Sequence, residues 1–381
     1  MEEFALKSQI WVICISIFFL SCQTNSHDNT KPPQNSFAKQ YCQNELPSDL
    51  TKTVSEIKKL FKGKKCEEID KFAPSVKKIA IVKAGITNLK PFTHFPNLET
   101  LSLHSNEIKD IKPLTQLKKL RSLDVSVNKI SDFSQFKELK LLKTLSASNN
   151  GIQNLKGLGE MQSLVHLNIG SNQIADLQEV SSLHSLIRLN LNNNKVEDIS
   201  PLKNIICIKE LILSQNKITN AEPLKKLFLL EQLTLNNNPL KSLNFLEQLT
   251  SMKRLALNNT TQNSIEVLAK LKNLTTLSLN KNQLQSLNSI AKLSQLSTVN
   301  AMHNKISQLN FTQDLQELKN LNLSHNKIED IKPLLHLKKL KRLDITHNPV
   351  SQASLKELCT LSIKQFYGTG KSGSIVEICT E

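Results

Sequence analysis

Three histidines, His303, His325 and His347, stand at a spacing of 22 residues. Imidazoles brought together by that spacing could ligate zinc or copper, or titrate together just below neutral pH. The plainer reading is that the position only wants a polar residue, since Ser105, Asn149 and Ser171 hold it elsewhere in the same frame. Other chemical motifs are weaker. The segment "GTGKSGS" after Tyr367 echoes a phosphate-binding loop, but Gln365 stands where the first glycine of that motif belongs, and no apolar strand leads into it. No HExxH, Cys/His pair or paired-carboxylate motif occurs. The expectation is a non-enzymatic chain without cofactor or catalytic residue.

The elements that would position these histidines follow from the same period. One residue after each histidine is an asparagine, and the 22-residue step continues in both directions: Asn106, Asn128, Asn150, Asn172, Asn194, Asn216, Asn238, Asn282, Asn304, Asn326 and Asn348, with Ala84 first and Thr260 in mid-array. A fixed period of this size is the signature of a repeat architecture. Five and three residues before each of these positions the residue is apolar, and two after it is Ile, Val or Leu everywhere but at Gln262. The alternating part, as in "LNL" at Leu189–Leu191, reads as a short strand with its leucines inward. A buried turn behind it leaves main-chain N–H and C=O groups that need partners. An amide side chain offers both donors and an acceptor. Stacked once per coil, the asparagines would bond the backbone of their own turn and of the neighbouring one. Thr260 and Gln262 interrupt this, and a locally looser coil is expected there.

The pattern resembles the leucine-rich repeat over roughly residues 76–350. "DIKPL" at Asp110–Leu114 and Asp330–Leu334 and "DISPL" at Asp198–Leu202 resemble the 22-residue repeats of bacterial internalins and of phosphatase-regulatory proteins. The expected fold is an α/β-type solenoid, a horseshoe of about 13 coils, with a parallel concave β-sheet, short helical or 3-10 convex segments and a cap at each end. The resemblance implies that the concave sheet is the ligand face. Its outward positions lie six, four and two residues before the ladder and include Arg188, Asn190, Asn192, Glu210, Ser214, Gln232, Asn236, Arg254 and Asn258. This face is mostly Asn, Ser and Thr, without an aromatic residue, so it offers no strong anchor of the kind tight protein interfaces use.

The expected organisation is a signal peptide over 1–21, a disordered tether over 22–40, a helical N-terminal cap over 41–75, the repeats over 76–350 and a C-terminal cap over 351–381. The apolar run Ile10–Leu20 is too short to span a bilayer and suits a signal-peptide core. Its ending, "FLSC", resembles the lipobox of bacterial lipoproteins, which would make Cys22 the lipid-bearing first residue. Plain secretion is the alternative. In the N-terminal cap Ser55 is expected to cap a helix that Gly63 ends, with Ile57, Leu60 and Phe61 as its apolar stripe. Two cysteines fall in each cap, so bridges Cys42–Cys66 and Cys359–Cys379 are expected in an oxidising compartment. Cys207, in "NIICIKE", reads as an inert core thiol.

The chain carries a net charge of +16. Its lysines spread through the return segments rather than over the sheet, which argues against nucleic acid but allows attraction to acidic glycans or lipid head groups. The expected role is a monomeric cell-envelope module, anchored by lipid to the membrane or secreted. It would recognise a protein or glycan on a cell surface, as in adhesion. A structural or assembly role in the envelope, or an intracellular scaffold like the phosphatase regulators, is the alternative.

Overall fold

The computed structural model describes residues 36–42, 45–368 and 371–373. The expected signal segment, Cys22, most of the tether and Cys379 lie outside these residues. The chain divides into two compact units, one ending at Ile208 and the other beginning at Lys209. Each is a stretch of solenoid built on the 22-residue repeat.

The first unit opens with the N-terminal cap: α1 (Phe37–Tyr41), α2 (Ser48–Leu60) and α3 (Ile69–Phe72). The cap starts earlier than the sequence suggested. Phe37 is fully buried, and the Asp70 carboxylate accepts from the Phe37 and Ala38 amides at 2.7 and 3.0 Å. Residues 37–40 are therefore cap, not tether. Helix α2 begins at Ser48, so Ser55 lies inside it rather than capping it. Val54 and Ile57 form its buried side, while Leu60 is largely exposed. Phe61 stacks on Phe95 with ring centroids 6.2 Å apart, and Gly63 takes the left-handed conformation past the helix end. Cys42 and Cys66 are bonded as expected.

Strands β1 (Lys78–Ala80), β2 (Thr100–Ser102), β3 (Ser122–Asp124), β4 (Thr144–Ser146), β5 (His166–Asn168) and β6 (Arg188–Asn190) follow. They pair in parallel, each shifted by one 22-residue repeat, as in Leu101 against Leu123 and Leu123 against Leu145. The second unit continues with β7 (Glu210–Ile212), β8 (Gln232–Thr234), β9 (Arg254–Ala256), β10 (Thr276–Ser278), β11 (Thr298–Asn300), β12 (Asn320–Asn322) and β13 (Arg342–Asp344). Its C-terminal cap has α4 (Gln352–Leu355) and the strands β14 (Gln365–Gly368) and β15 (Lys371–Gly373). Strand β14 adds in parallel to β13 with Leu343 against Phe366, one residue beyond the 22-residue frame. Strand β15 returns antiparallel, so Gly368 and Lys371–Gly373 of "GTGKSGS" belong to a cap hairpin. The hairpin covers an edge that would otherwise template another strand.

Each coil is built the same way. In the second, Leu101, Leu103, Ile108, Ile111, Leu114, Leu117 and Leu120 all point inward and are at most 2 % exposed. The return segment is a 3-10 turn, Lys112–Gln116. Asp110 accepts from the Lys112 amide at 2.9 Å, and Pro113 needs no donor at the start of the turn. This is the physical content of "DIKPL"; Asp198 and Asp330 do the same for Ser200 and Lys332.

Candidate recognition surface

The asparagine ladder is hydrogen-bonded throughout; most of its members are buried, and Asn128, Asn150 and Asn194 are half-buried. Asn106 Oδ1 accepts from the Ala84 and Ile86 amides of the preceding coil at 3.1 and 3.2 Å. Its Nδ2 donates to Ile81 O of that coil and to Leu103 O of its own at 2.8 and 2.9 Å. In the second unit Asn304 and Asn348 make the same two Nδ2 bonds, and their Oδ1 atoms accept from the Leu284 and Ile328 amides. The ladder binds the chain to itself and leaves nothing for a ligand.

The irregular coil repairs its missing amide. Thr260 Oγ1 donates to Leu257 O at 2.9 Å, and the Leu240 amide turns to Asn238 O at 2.9 Å. Gln262 Nε2, two residues along, donates to Leu240 O at 2.9 Å and Thr260 O at 2.6 Å. The expected looseness is therefore not reflected in the bonding, because Gln262 supplies an amide where other coils bury a hydrocarbon.

The residue before each ladder position has φ between 52° and 58° in all thirteen coils, from Lys83 to His347. The preference seen in the sequence is thus for a left-handed residue rather than for polarity as such. Asn and His tolerate this conformation better than most residues, and a β-branched residue tolerates it poorly. Val127 is the β-branched exception, at φ 57°.

His303, His325 and His347 form a face-to-face column. Ring centroids are 4.0 and 3.9 Å apart, with interplanar angles of 18° and 9°. Nitrogen lone pairs lie in the ring planes, so near-parallel rings do not aim them at one ion. Among the described residues no group of three or more His, Cys, Asp or Glu is placed to hold a metal. Burial holds the His325 imidazole below its ordinary value, reinforced by His303 and His347 and opposed by Asp344.

On the sheet face the sequence-derived residues sort into two groups. Asn190, Asn236 and Asn258 have their oxygens committed to the backbone. Asn190 Oδ1 accepts from the Asn192 amide at 2.9 Å, Asn236 Oδ1 from the Asn258 amide at 2.8 Å, and Asn258 Oδ1 from the Asn280 amide at 2.7 Å. The amide two residues before the ladder lies beyond the strand pairing and needs an acceptor. It finds one on an Asx two residues earlier, as with Asp124 and Asn322, or on the preceding coil. The signal was present as an Asx two residues upstream. Asn192 Oδ1 lies where a Cβ on residue 170 would come within 2.2 Å, which accounts for Gly170.

The remaining candidates, Arg188, Glu210, Ser214, Gln232 and Arg254, lie on the face with side chains outside the core. Arg188 and Arg254 are exposed. Gln232 and Arg254 stand beside a floor of small residues, Thr234, Ala256 and Ser278, on strands β8 to β10. Sequence reasoning missed Tyr367. It aligns with Asp344 on the added strand β14 and is 47 % exposed, so the face does carry an aromatic residue. The shift out of the 22-residue frame hid it.

Cys359 is disulfide-bonded, and so is Cys207, against the expectation of an inert thiol. Cys207 is 3 % exposed among apolar neighbours, as expected. No helix among the described residues is long and apolar enough to cross a membrane.

Residues 96–138, 140–182 and 316–357 match the family Leucine Rich repeats (2 copies). No curated protein sequence matches. An internalin of Listeria monocytogenes superposes with a TM-score of 0.66 at 26 % identity, covering 84 % of this chain and 90 % of that one. A leucine-rich repeat protein of Leptospira interrogans gives 0.70 at 26 % identity, over 77 % of this chain and 84 % of that one. The ectodomain of an Arabidopsis thaliana receptor kinase gives 0.61 at 20 % identity, over 78 % of this chain and 43 % of that one. With the ladder and the strand frame, these likenesses support a leucine-rich repeat protein.

Proposed function

We propose that this chain is a non-enzymatic recognition module of the cell envelope. It binds a protein partner through the outward side chains of its parallel sheet and serves attachment to another surface. The observation that carries this is the division of labour within each coil. Asn194 and its equivalents hold the backbone, while exposed Arg254 and Arg342 and half-buried Gln232 and Thr276 stand on the face outside the core. Such residues are available for contact at little cost to folding. The likeness to an internalin supports a role at a cell surface, and the short apolar run ending at Cys22 supports an acyl anchor there.

The test uses the full chain. A face variant (Gln232→Ala, Arg254→Glu, Thr276→Arg) and a return-segment variant (Lys225→Glu, Lys226→Glu, Lys270→Glu) are compared for attachment to host or neighbouring cells. Loss confined to the face variant is expected. Loss confined to the return-segment variant would overturn the assignment. Protease accessibility on intact cells tests exposure, and labelled palmitate that enters the wild type but not Cys22→Ala tests the anchor.

A further inference from the structure

The residues one before and one after the ladder both lie outside the core, and over the coils of Asn304 and Asn326 both rows are basic, with Lys281 and His347 extending the first row on either side. Before the ladder stand Lys281, His303, His325 and His347; after it stand Lys305 and Lys327. Lys281, His303, Lys305, Lys327 and His347 are exposed, and His325 is half-buried between its neighbours. We propose that this row is a docking strip for a linear polyanionic glycan, and that it tightens its hold as the pH falls.

The geometry sets the kind of partner. Successive coils advance by about 4.8 Å, so the strip is a line of bases at close, even spacing and only two residues wide. That shape suits a single charged chain lying across the coils better than a plane. His325 spends both faces on its neighbours and His303 and His347 spend one each, so the column does not offer the row of separate platforms on which successive nucleic-acid bases would stack. None of the large exposed hydrophobic residues, Leu60, Val82, Leu141 and Tyr367, lies on the strip.

The stacking also supplies the pH dependence. At neutral pH the strip carries the three lysine charges. As the pH falls through the imidazole range the column gains charge, and His325, half-buried between two others, resists it. Bound anions offset the repulsion that a column of imidazoliums would otherwise suffer. The acidic groups nearby are few. Asp344 faces His325 but is occupied by the Thr346 amide and hydroxyl at 3.1 and 2.8 Å and by Asn322 Nδ2 at 3.2 Å. Glu329 and Asp330 follow Lys327 by two and three residues along the departing loop. The strip is separate from the sheet face, and either assignment can fail without the other.

The experiment measures binding of the full chain to immobilised dextran sulfate at about pH 5.5 and about pH 7.5. One variant carries His303→Asn, His325→Asn and His347→Asn; asparagine already holds the same left-handed position at Asn149, Asn193, Asn237 and Asn259. A second carries Lys281→Gln, Lys305→Gln and Lys327→Gln. A control neutralises Lys225, Lys226 and Lys270 with Gln. For the wild type, affinity should rise at least about tenfold on acidification, since each cation facing an anionic surface contributes roughly fivefold. The histidine variant should lose that rise and keep its neutral-pH binding. The lysine variant should weaken at both pH values, and the control at neither. A rise that survives in the histidine variant overturns the proposal. So does a control as weak as the lysine variant, which would mean diffuse charge. Equal binding to phosphatidylserine vesicles would replace the glycan by a lipid surface and overturn the assignment of partner.

Discussion

Replacing Asn238 by alanine should cost more than replacing Asn304, although both are buried ladder residues with the same bonding pattern. The difference follows from their neighbours. Asn304 Nδ2 donates to Leu279 O and Ala301 O, but each carbonyl has a second amide donor, Asn282 for Leu279 and Asn326 for Ala301. Its removal orphans only the Leu284 amide. Asn238 donates to Leu213 O and Leu235 O. Leu213 keeps Asn216, but the donor that the next coil should send to Leu235 is absent, because that coil carries Thr260. Asn238→Ala therefore orphans the Leu235 carbonyl and the Ile218 amide, which it serves at 3.0 Å. At roughly 1–3 kcal/mol for each buried group left unpaired, Asn238→Ala should cost about 2–6 kcal/mol and Asn304→Ala about half of that. A chain of two units need not unfold in one step. Urea unfolding should therefore be joined to hydrogen exchange at the Ile218 and Leu284 amides. Equal losses for the two variants, or a loss below about 1 kcal/mol for Asn238→Ala, would refute the reasoning.

Val127→Asn should stabilise the first unit by about 1 kcal/mol, since it removes a β-branched residue from the left-handed region; chemical denaturation reads the change. Gln262→Leu should expose the irregular coil, seen as faster exchange there than in the coils on either side, whereas in the wild type that coil should be as protected as they are. Replacing both Cys42 and Cys66 by serine should lower stability by about 3 kcal/mol for a loop closed over 24 residues, and dithiothreitol should have the same effect on the wild type. His325 and His94 both bind protons more weakly in the folded chain, mainly through burial, with Asp344 and Asp70 opposing. Their contribution is complete above the ordinary imidazole value. It is lost as the pH falls from there towards the lowered folded values, because the unfolded chain takes up the proton first. The Tm should therefore drop on mild acidification, and less so in His325→Asn.

The repeat made most of the fold legible. Fixed inward leucines and one amide per coil left no freedom in strand frame, ladder or pairing, and the bonds of Asn106 are those that the chemistry of an amide in a buried turn demands. What stayed hidden lay where the period stops or where a residue does two jobs. The 23-residue step from Leu343 to Phe366 concealed β14 and Tyr367. Phe37 entered the cap because Asp70, over thirty residues away, caps its helix, a contact no local pattern announces. Asn190, Asn236 and Asn258 looked like ligand contacts because they face outward; only the hydrogen bonds show that the backbone already holds their oxygens. The histidines repeat because their backbone is left-handed, a constraint invisible in a count of polar residues.

Residue-resolved hydrogen exchange on the intact chain tests the ladder most directly. The amides of Ile108, Ile130 and Ile174 in the first unit, and of Ile218, Leu284, Ile306 and Ile328 in the second, are each held by a ladder Oδ1 of the following coil. They should exchange as slowly as the strand amides beside them, and together within each unit. Fast exchange at these positions, with the strands protected, would mean that the asparagines do not knit the coils.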